Sequence, residues 1–195
     1  MFTGLVGDLG TVTAVDAAPD GVRLAVQTRL SAELEEGDSV AVNGVCLTAT
    51  AIADGQFAAD VMLETLRRSS LADVRAGTSV NIELPLRAAD RLGGHFVQGH
   101  VDGVGTVRDV REDGFARVVT VAAPPEVLRY IVEKGSIAVD GVSLTIAGYG
   151  DDWFSVSLIP ETLERTILGA AAPGQPVNLE VDVLAKYIER LVPAR

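Results

Sequence analysis

The sequence predicts an all-β protein made of two tandem copies of one small barrel, and three observations carry that prediction. First, VNGVCLT at 42–48 returns as VDGVSLT at 139–145. Second, the surrounding segment 40–86 aligns on 137–183 without a gap, pairing Gly44 with Gly141, Glu64-Thr65-Leu66 with Glu161-Thr162-Leu163, and Gly77, Val80, Asn81 and Glu83 with Gly174, Val177, Asn178 and Glu180. Third, short apolar runs in each copy alternate with polar positions and are punctuated by Asn-Gly, Asp-Gly and Pro-Gly, the pattern of strands and tight turns. The repeat is far longer than the roughly 20–50 residues of a solenoid, so it marks a pair of domains rather than a stacked array.

Along the chain, GTV at 10–12 is answered by GTV at 105–107. Ser31 before AELEEG reads as the start of a short helix. Asn43-Gly44 is a two-residue hairpin signal, because both residues tolerate the positive φ of a type I′ turn. Beyond that turn successive side chains alternate faces, so Val45, Leu47 and Ala49 point one way and Cys46, Thr48 and Thr50 the other. The same logic puts Ser143 and Thr145 on one face of the second copy. The join falls near RAADRLGGH and divides 1–94 from 95–183. Pro124-Pro125 opening EVLRYIVEK, with Gly135 closing it, has the proline-first, glycine-last asymmetry of a helix. Five or six short strands in each half of about 90 residues fit a closed barrel, since closure removes the exposed edges of a short open sheet. The stretch 184–195 differs: Leu184, Tyr187, Ile188 and Leu191 fall at i, i+3, i+4 and i+7, an apolar helical stripe that needs a surface to bury against.

Composition narrows the function. A length of 195 residues with 48% hydrophobic and 22% charged residues supports two globular cores,. The net charge of -11 repels a phosphate backbone and leaves no basic stripe, which argues against nucleic acid,. MFTGLVGDLG lacks a basic region followed by an apolar run, and no stretch approaches the roughly 18 apolar residues of a membrane span, so a cytoplasmic protein without membrane contact is expected. The lone Cys46 excludes an intramolecular disulfide, and with only two histidines no structural metal site is expected,.

The residues alone leave His95 and His100 open between structural and catalytic use. They leave Cys46 open between a small buried hydrophobe and a reactive thiol. Taken together, MFTG at the N-terminus, VNGVCLT, GGHFVQGHVDG, KGSIAVDGVSLT, IPETLERT and VDVLAKYIERL resemble the riboflavin synthase α-chain family, in order and over essentially the whole chain. The resemblance implies two six-stranded Greek-key barrels, a C-terminal helix through which three subunits associate, and a cofactor-free dismutation of two 6,7-dimethyl-8-ribityllumazine molecules. One lumazine gives four carbons to the other, yielding riboflavin and 5-amino-6-(D-ribitylamino)uracil. Association with lumazine synthase is a further implied partnership. A non-catalytic lumazine or flavin antenna protein of the same fold is the alternative.

That chemistry calls for a base titrating near neutrality and a hydroxyl, thiol or water nucleophile. By resemblance His100 is the site base, suited by a histidine pKa near 6.5, while His95 shapes the interdomain turn. Ser143 and Cys46 stand at matching places in the two copies and join His100 as the expected catalytic groups. DVMLET at 60–65 aligns with SLIPET at 157–162, and the resemblance implies that these segments hold the ring and ribityl chain. Substrate contacts are thus expected at Asp60, Val61, Met62, Leu63, Glu64 and Thr65, and at Ser157, Leu158, Ile159, Pro160, Glu161 and Thr162. Further contacts are expected at Phe2, Gly4, Leu5, Val6, Ser39, Cys46, Leu47, Thr48, Gly99, His100, Val101, Lys134, Ser143, Leu144, Thr145 and Asp182.

Overall fold

Short strands leave no unpaired edge here, because each set wraps onto itself. The computed structural model, described for residues 1–192, closes the strands into two six-stranded antiparallel barrels. The first contains β1 (Asp8–Ala18), β2 (Gly21–Gln27), β3 (Ser39–Val42), β4 (Val45–Ala53), β5 (Gln56–Met62) and β6 (Ser79–Glu83), in the order β1-β2-β5-β4-β3-β6. The second contains β7 (Gly103–Asp113), β8 (Ala116–Ala122), β9 (Ser136–Val139), β10 (Val142–Tyr149), β11 (Trp153–Leu158) and β12 (Pro176–Val181), with the same connectivity. Register shifts at Val12/Ala14 and Ala49/Ala51 recur at Val107/Asp109 and Ile146/Gly148. Such bulges bend and twist a strand, which lets so few strands close.

Alternation sorts the side chains as the sequence predicts. Val45, Leu47 and Ala49 are buried in the first barrel, while Cys46 is half-buried and Thr48 and Thr50 are exposed. Phe57 and Phe154, equivalent in the two copies, are each almost fully buried at the centre of their barrels. A smaller cluster of Phe2, Ala41, Val97 and Ala138 fills the seam between the barrels.

At that seam the two hairpins meet turn to turn. Asn43 and Gly44 have φ of 46° and 74°, Asp140 and Gly141 of 45° and 77°. A Cβ on Gly44 would lie 2.6 Å from the Gly141 nitrogen, and one on Gly141 2.7 Å from the Gly44 nitrogen. Two asparagines lock the contact. Asn81 Nδ2 donates to the Asp140 carbonyl at 2.9 Å, and Asn178 Nδ2 to the Asn43 carbonyl at 2.8 Å. Their oxygens accept from Ile167 N at 2.9 Å and Ser70 N at 2.7 Å, each in the other barrel.

The helices depart from expectation. The stretch 125–133 is helical only over α2 (Pro125–Leu128), after α1 (Leu63–Arg68) in the first copy. Val127 and Ile131 are drawn into the barrel core. The following residues are then taken up as a turn that pairs with β10, Lys134 N donating to Ile146 O at 3.0 Å and Ile146 N to Gly135 O at 2.9 Å. The helix expected from Ser31 is a 3₁₀ turn, Arg29–Glu33, capped one turn earlier by Thr28, with Ser31 buried inside it. α1 and its counterpart α3 (Pro160–Arg165) were not legible as helices. The C-terminal helix is present as α4 (Val183–Leu191), N-capped by Asp182; residues 193–195 of the expected helical stretch lie outside the described residues.

Asp140 is the asymmetric member of the seam. Its Oδ1 accepts from Asn178 N at 2.8 Å, as Asn43 Oδ1 accepts from Asn81 N at 2.7 Å. Burial pushes its pKa up to about 7. The folded state therefore holds a proton that the unfolded chain has released, so the seam loses stability as pH rises from about 4 to about 7. At about 1.4 kcal/mol per pH unit this amounts to roughly 4 kcal/mol. Asp140→Asn, which copies the first repeat, should remove that slope. Thermal unfolding at pH 4, 6 and 8 should show the variant gaining on the parent with rising pH and levelling off above 7; parallel curves would refute a neutral buried Asp140.

Candidate functional site

The two expected pockets form outside the barrel walls, each where a strap of chain crosses the start of the strand after the turn. In the first, the strap is Gly99, His100 and Val101, which faces Val45 and Cys46 of β4 and Glu64, Thr65, Arg68 and Ser69 of α1 and its end. In the second, Gly4, Leu5 and Val6 face Val142 and Ser143 of β10 and Glu161, Thr162, Arg165 and Thr166. The two sets correspond position by position. Their cavities measure about 200 and 270 Å³.

The straps are exchanged. The N-terminal strap belongs by sequence to the first barrel but packs on the second, Ser143 N donating to Gly4 O at 2.8 Å. The strap before β7 packs on the first, Cys46 N donating to Gly99 O at 2.9 Å. Gly4 and Gly99 have φ of +77° and +79°, and a Cβ on either would lie 2.6 Å from the Cβ of Ser143 or Cys46. Only glycine permits both the turn and the approach.

Ser143 has a partner that the sequence did not indicate. His95 Nδ1 lies 2.7 Å from Ser143 Oγ. The imidazole is 7% exposed, and burial holds its pKa below the ordinary histidine value, with the charge of Asp182 pulling partly back. It is therefore neutral at pH 7, with one nitrogen free to accept a proton. Its Nε2 is buried without a hydrogen-bond partner among the described residues. Such an orphan costs about 1–3 kcal/mol.

His100, the expected base, lies in the first pocket with Cys46; its side chain is exposed. Thus the first pocket is lined by a histidine together with Cys46, whereas in the second His95 bonds the lining Ser143 from behind and does not itself line the cavity. Glu64 pairs with Arg68, and Glu161 with Arg165 at 2.5 Å, placing a charged pair on each rim. The arginines escaped the sequence reading, although the i, i+4 spacing in LETLRR and PETLER was a usable signal.

Other expected residues lie away from the cavities. Leu47, Val61 and Leu158 face the barrel interiors, and Leu144 packs partly on the second core. Phe2 is in the seam. Asp60 is exposed and paired with Arg23 at 2.8 Å, which holds its carboxyl below the usual range. Ser39 pairs in register with Thr48 on β4. Met62, Leu63 and Ile159 are large apolar groups left exposed beside the pockets. Pro160 begins α3, and Ser157 and Thr145 are exposed on their strands. Lys134 is exposed at φ 65°, where the equivalent Gly37 has φ 98°; a lysine held there is strained,.

A larger cavity, about 520 Å³, lies instead on the seam, between Asn43, Asp140, Ser70 and Ile167. It shares Thr166 with the second pocket but lacks Cys46, Ser143 and both histidines. The residues expected from the repeat, Cys46 and Ser143, thus line the smaller paired pockets and not this cavity.

Comparison with known proteins agrees with this pairing. The family model described as the lumazine binding domain matches twice, over residues 3–85 and 98–182. The riboflavin synthase of Mycobacterium tuberculosis (strain ATCC 25618 / H37Rv) is 53% identical over 197 residues, covering 98% of this chain and 98% of its own. That of Bacillus subtilis (strain 168) is 40% identical over 193 residues, covering 98% and 90%. A crystal structure of LumP complexed with 6,7-dimethyl-8-(1'-D-ribityl) lumazine shares the fold, with a TM-score of 0.84 at 24% identity, over 93% of this chain and 99% of that one. Matched in both halves and along its whole length, the chain belongs to the lumazine-binding family that includes the riboflavin synthases.

Proposed function

We propose that the protein is a riboflavin synthase that dismutates two molecules of 6,7-dimethyl-8-ribityllumazine into riboflavin and 5-amino-6-(D-ribitylamino)uracil. The observation that carries this reading is the doubled pocket, equivalent residue for residue, in a chain 53% identical to a riboflavin synthase over nearly its full length. A reaction that consumes two copies of one ligand needs two binders of one design. Cavities of about 200 and 270 Å³ lie below the usual range of about 300–1,000 Å³ for a ligand pocket, so each covers part of a bicyclic ring and leaves a face free to meet another,. A carrier of the LumP kind is the second reading, supported by fold at 24% identity.

In this reading Thr65, Thr162 and the strap backbones orient the two lumazines. His95, neutral and bonded to Ser143, takes the proton of the serine hydroxyl or of a water that adds to one ring. His100 and Cys46 serve the ring in the first pocket, with His100 moving the methyl proton. No metal or organic cofactor enters these steps.

We further propose a homotrimer, with the shared site formed between the first barrel of one subunit and the second barrel of its neighbour. The α4 stripe supports it: Leu184, Tyr187, Ile188 and Leu191 are 49%, 61%, 60% and 78% exposed. Glu189 bonds Arg129 and the Tyr130 hydroxyl, and Lys186 bonds Asp102, fixing the helix on the second barrel with this face outward. Burying each such side chain contributes about 1.5–3 kcal/mol.

Incubated with the lumazine and a chelator, the purified protein should release one riboflavin for every two lumazines consumed; tight binding without turnover would favour the carrier. His95→Gln and Ser143→Ala should each lower kcat by roughly a hundredfold or more while changing lumazine affinity far less, since general base catalysis contributes about 10²–10⁴. Unchanged turnover in either would remove that residue from the mechanism. Truncation before Leu184 should leave folded barrels that bind lumazine but sediment as monomers with little activity, and an active monomer would defeat the shared site.

A further inference from the structure

Two buried carboxylates outside both pockets make the same arrangement in each barrel. Glu83, on β6, accepts from Thr3 N at 2.7 Å and Thr3 Oγ1 at 2.8 Å through one oxygen, and from Gly4 N at 3.0 Å through the other. Glu180, on β12, accepts from Gln98 N at 2.6 Å, Gly99 N at 2.9 Å and His100 N at 3.0 Å. They are 8% and 3% exposed. Neither lines the pockets that hold Ser143 and Cys46.

We propose that Glu83 and Glu180 are positioning residues acting crosswise, each holding from one barrel the strap that walls the ligand pocket of the other. The inference rests on the reading of the paired pockets as the lumazine sites. Glu83 stands in the first barrel, but the strap it grips packs on Ser143 in the second. Glu180 stands in the second barrel and grips the strap that packs on Cys46 in the first. Each strap is thus pinned on two sides, its amides by a carboxylate and its glycine carbonyl by the pocket strand. The next residues, Leu5 and Val6 or His100 and Val101, become the pocket wall.

The residue type follows from the donors. Three N–H or O–H groups converge on each side chain; burial raises the pKa of Glu83 and pushes that of Glu180 up to about 7, while the converging donors pull both back toward the carboxylate, which accepts at both oxygens without offering a competing donor,. Glutamine of the same shape would turn an NH₂ toward one of those amides and leave at least one buried donor unsatisfied. The strap would move away from the strand at Gly4 or Gly99, where the packing permits not even a methyl group.

The single cysteine supplies a reporter, because Cys46 lines only the first pocket and lies under Gly99. In ligand-free protein, Glu180→Gln should speed alkylation of Cys46 by iodoacetamide roughly tenfold, while Glu83→Gln leaves it within about twofold. With lumazine present, Glu180→Gln should raise the concentration that protects Cys46 at least about tenfold, and its KM by a similar factor with a smaller change in kcat. In the Cys46→Ser, Ser143→Cys double variant the reporter moves to the second pocket, and the dependence should invert: Glu83→Gln loosens it and Glu180→Gln does not. Equal effects of both glutamates on both pockets, an effect on the pocket of the glutamate's own barrel, or no effect would each overturn the proposal. If a glutamine variant does not fold, the aspartate variant, charged but one methylene shorter, should show the same crossed pattern. Failure of lumazine to protect Cys46 in the parent would count against the functional reading alone, since the ligand-free alkylation rates test the grip on the strap independently.

Discussion

The packing of two glycine turns against each other governs this molecule. Gly44 and Gly141 approach so closely that neither tolerates a side chain, and the contact fixes the barrels about an approximate two-fold relation. Asn81 and Asn178 make the relation specific, since each joins the turn of the opposite barrel to the segment after that barrel's short helix. Four hydrogen bonds of this kind, two buried and two partly buried, each worth about 1 kcal/mol net but costly to leave unmade, penalise any sliding of one barrel on the other,. The pockets inherit this precision. Cys46 and Ser143 each stand two residues beyond the glycine of their turn, Gly44 and Gly141, so the seam that aligns the turns also aligns the two pockets.

Similarity of the halves does not make them equal. The seam has an amide at 43 and a carboxyl at 140, and the paired pockets have a thiol at 46 and a hydroxyl at 143. Ser143 alone carries a buried histidine on its hydroxyl. A dismutation needs this kind of division, because its two identical ligands must meet different fates. The straps supply part of the difference as well: where the first pocket has the polar His100, the second has the apolar Leu5.

What could be read from the sequence was mainly what is local. Asn43-Gly44 announces its turn because the required φ is a property of those two residues. The common face of Cys46 and Thr48 follows from the pleat alone. The helix over-read at EVLRYIVEK had correct end signals, but the barrel needed Val127 and Ile131 as a plug and the residues after them as a turn. α1 and α3 are six residues each, too short for an apolar period to show,. The site was half legible for a similar reason. The motif positions were evident from the repeat, but the bond between His95 and Ser143 spans 48 residues and the exchange of straps reverses the assignment that chain order suggests.

The exchange also orders events during synthesis on the ribosome. The strap at Gly4 emerges before the strand that receives it, which passes through Ser143, 139 residues later. At about 5–20 residues per second, the strap waits on the order of ten seconds for its docking strand. Throughout that interval Phe2, buried completely in the finished protein, has no seam to enter. The first barrel can close its sheet meanwhile, but its own pocket lacks a wall until residues 99–101 have emerged and settled on β4. Vectorial synthesis thus builds the two barrels in turn and completes the second pocket after the first, when a strap made before the first barrel folds back onto a strand of the second.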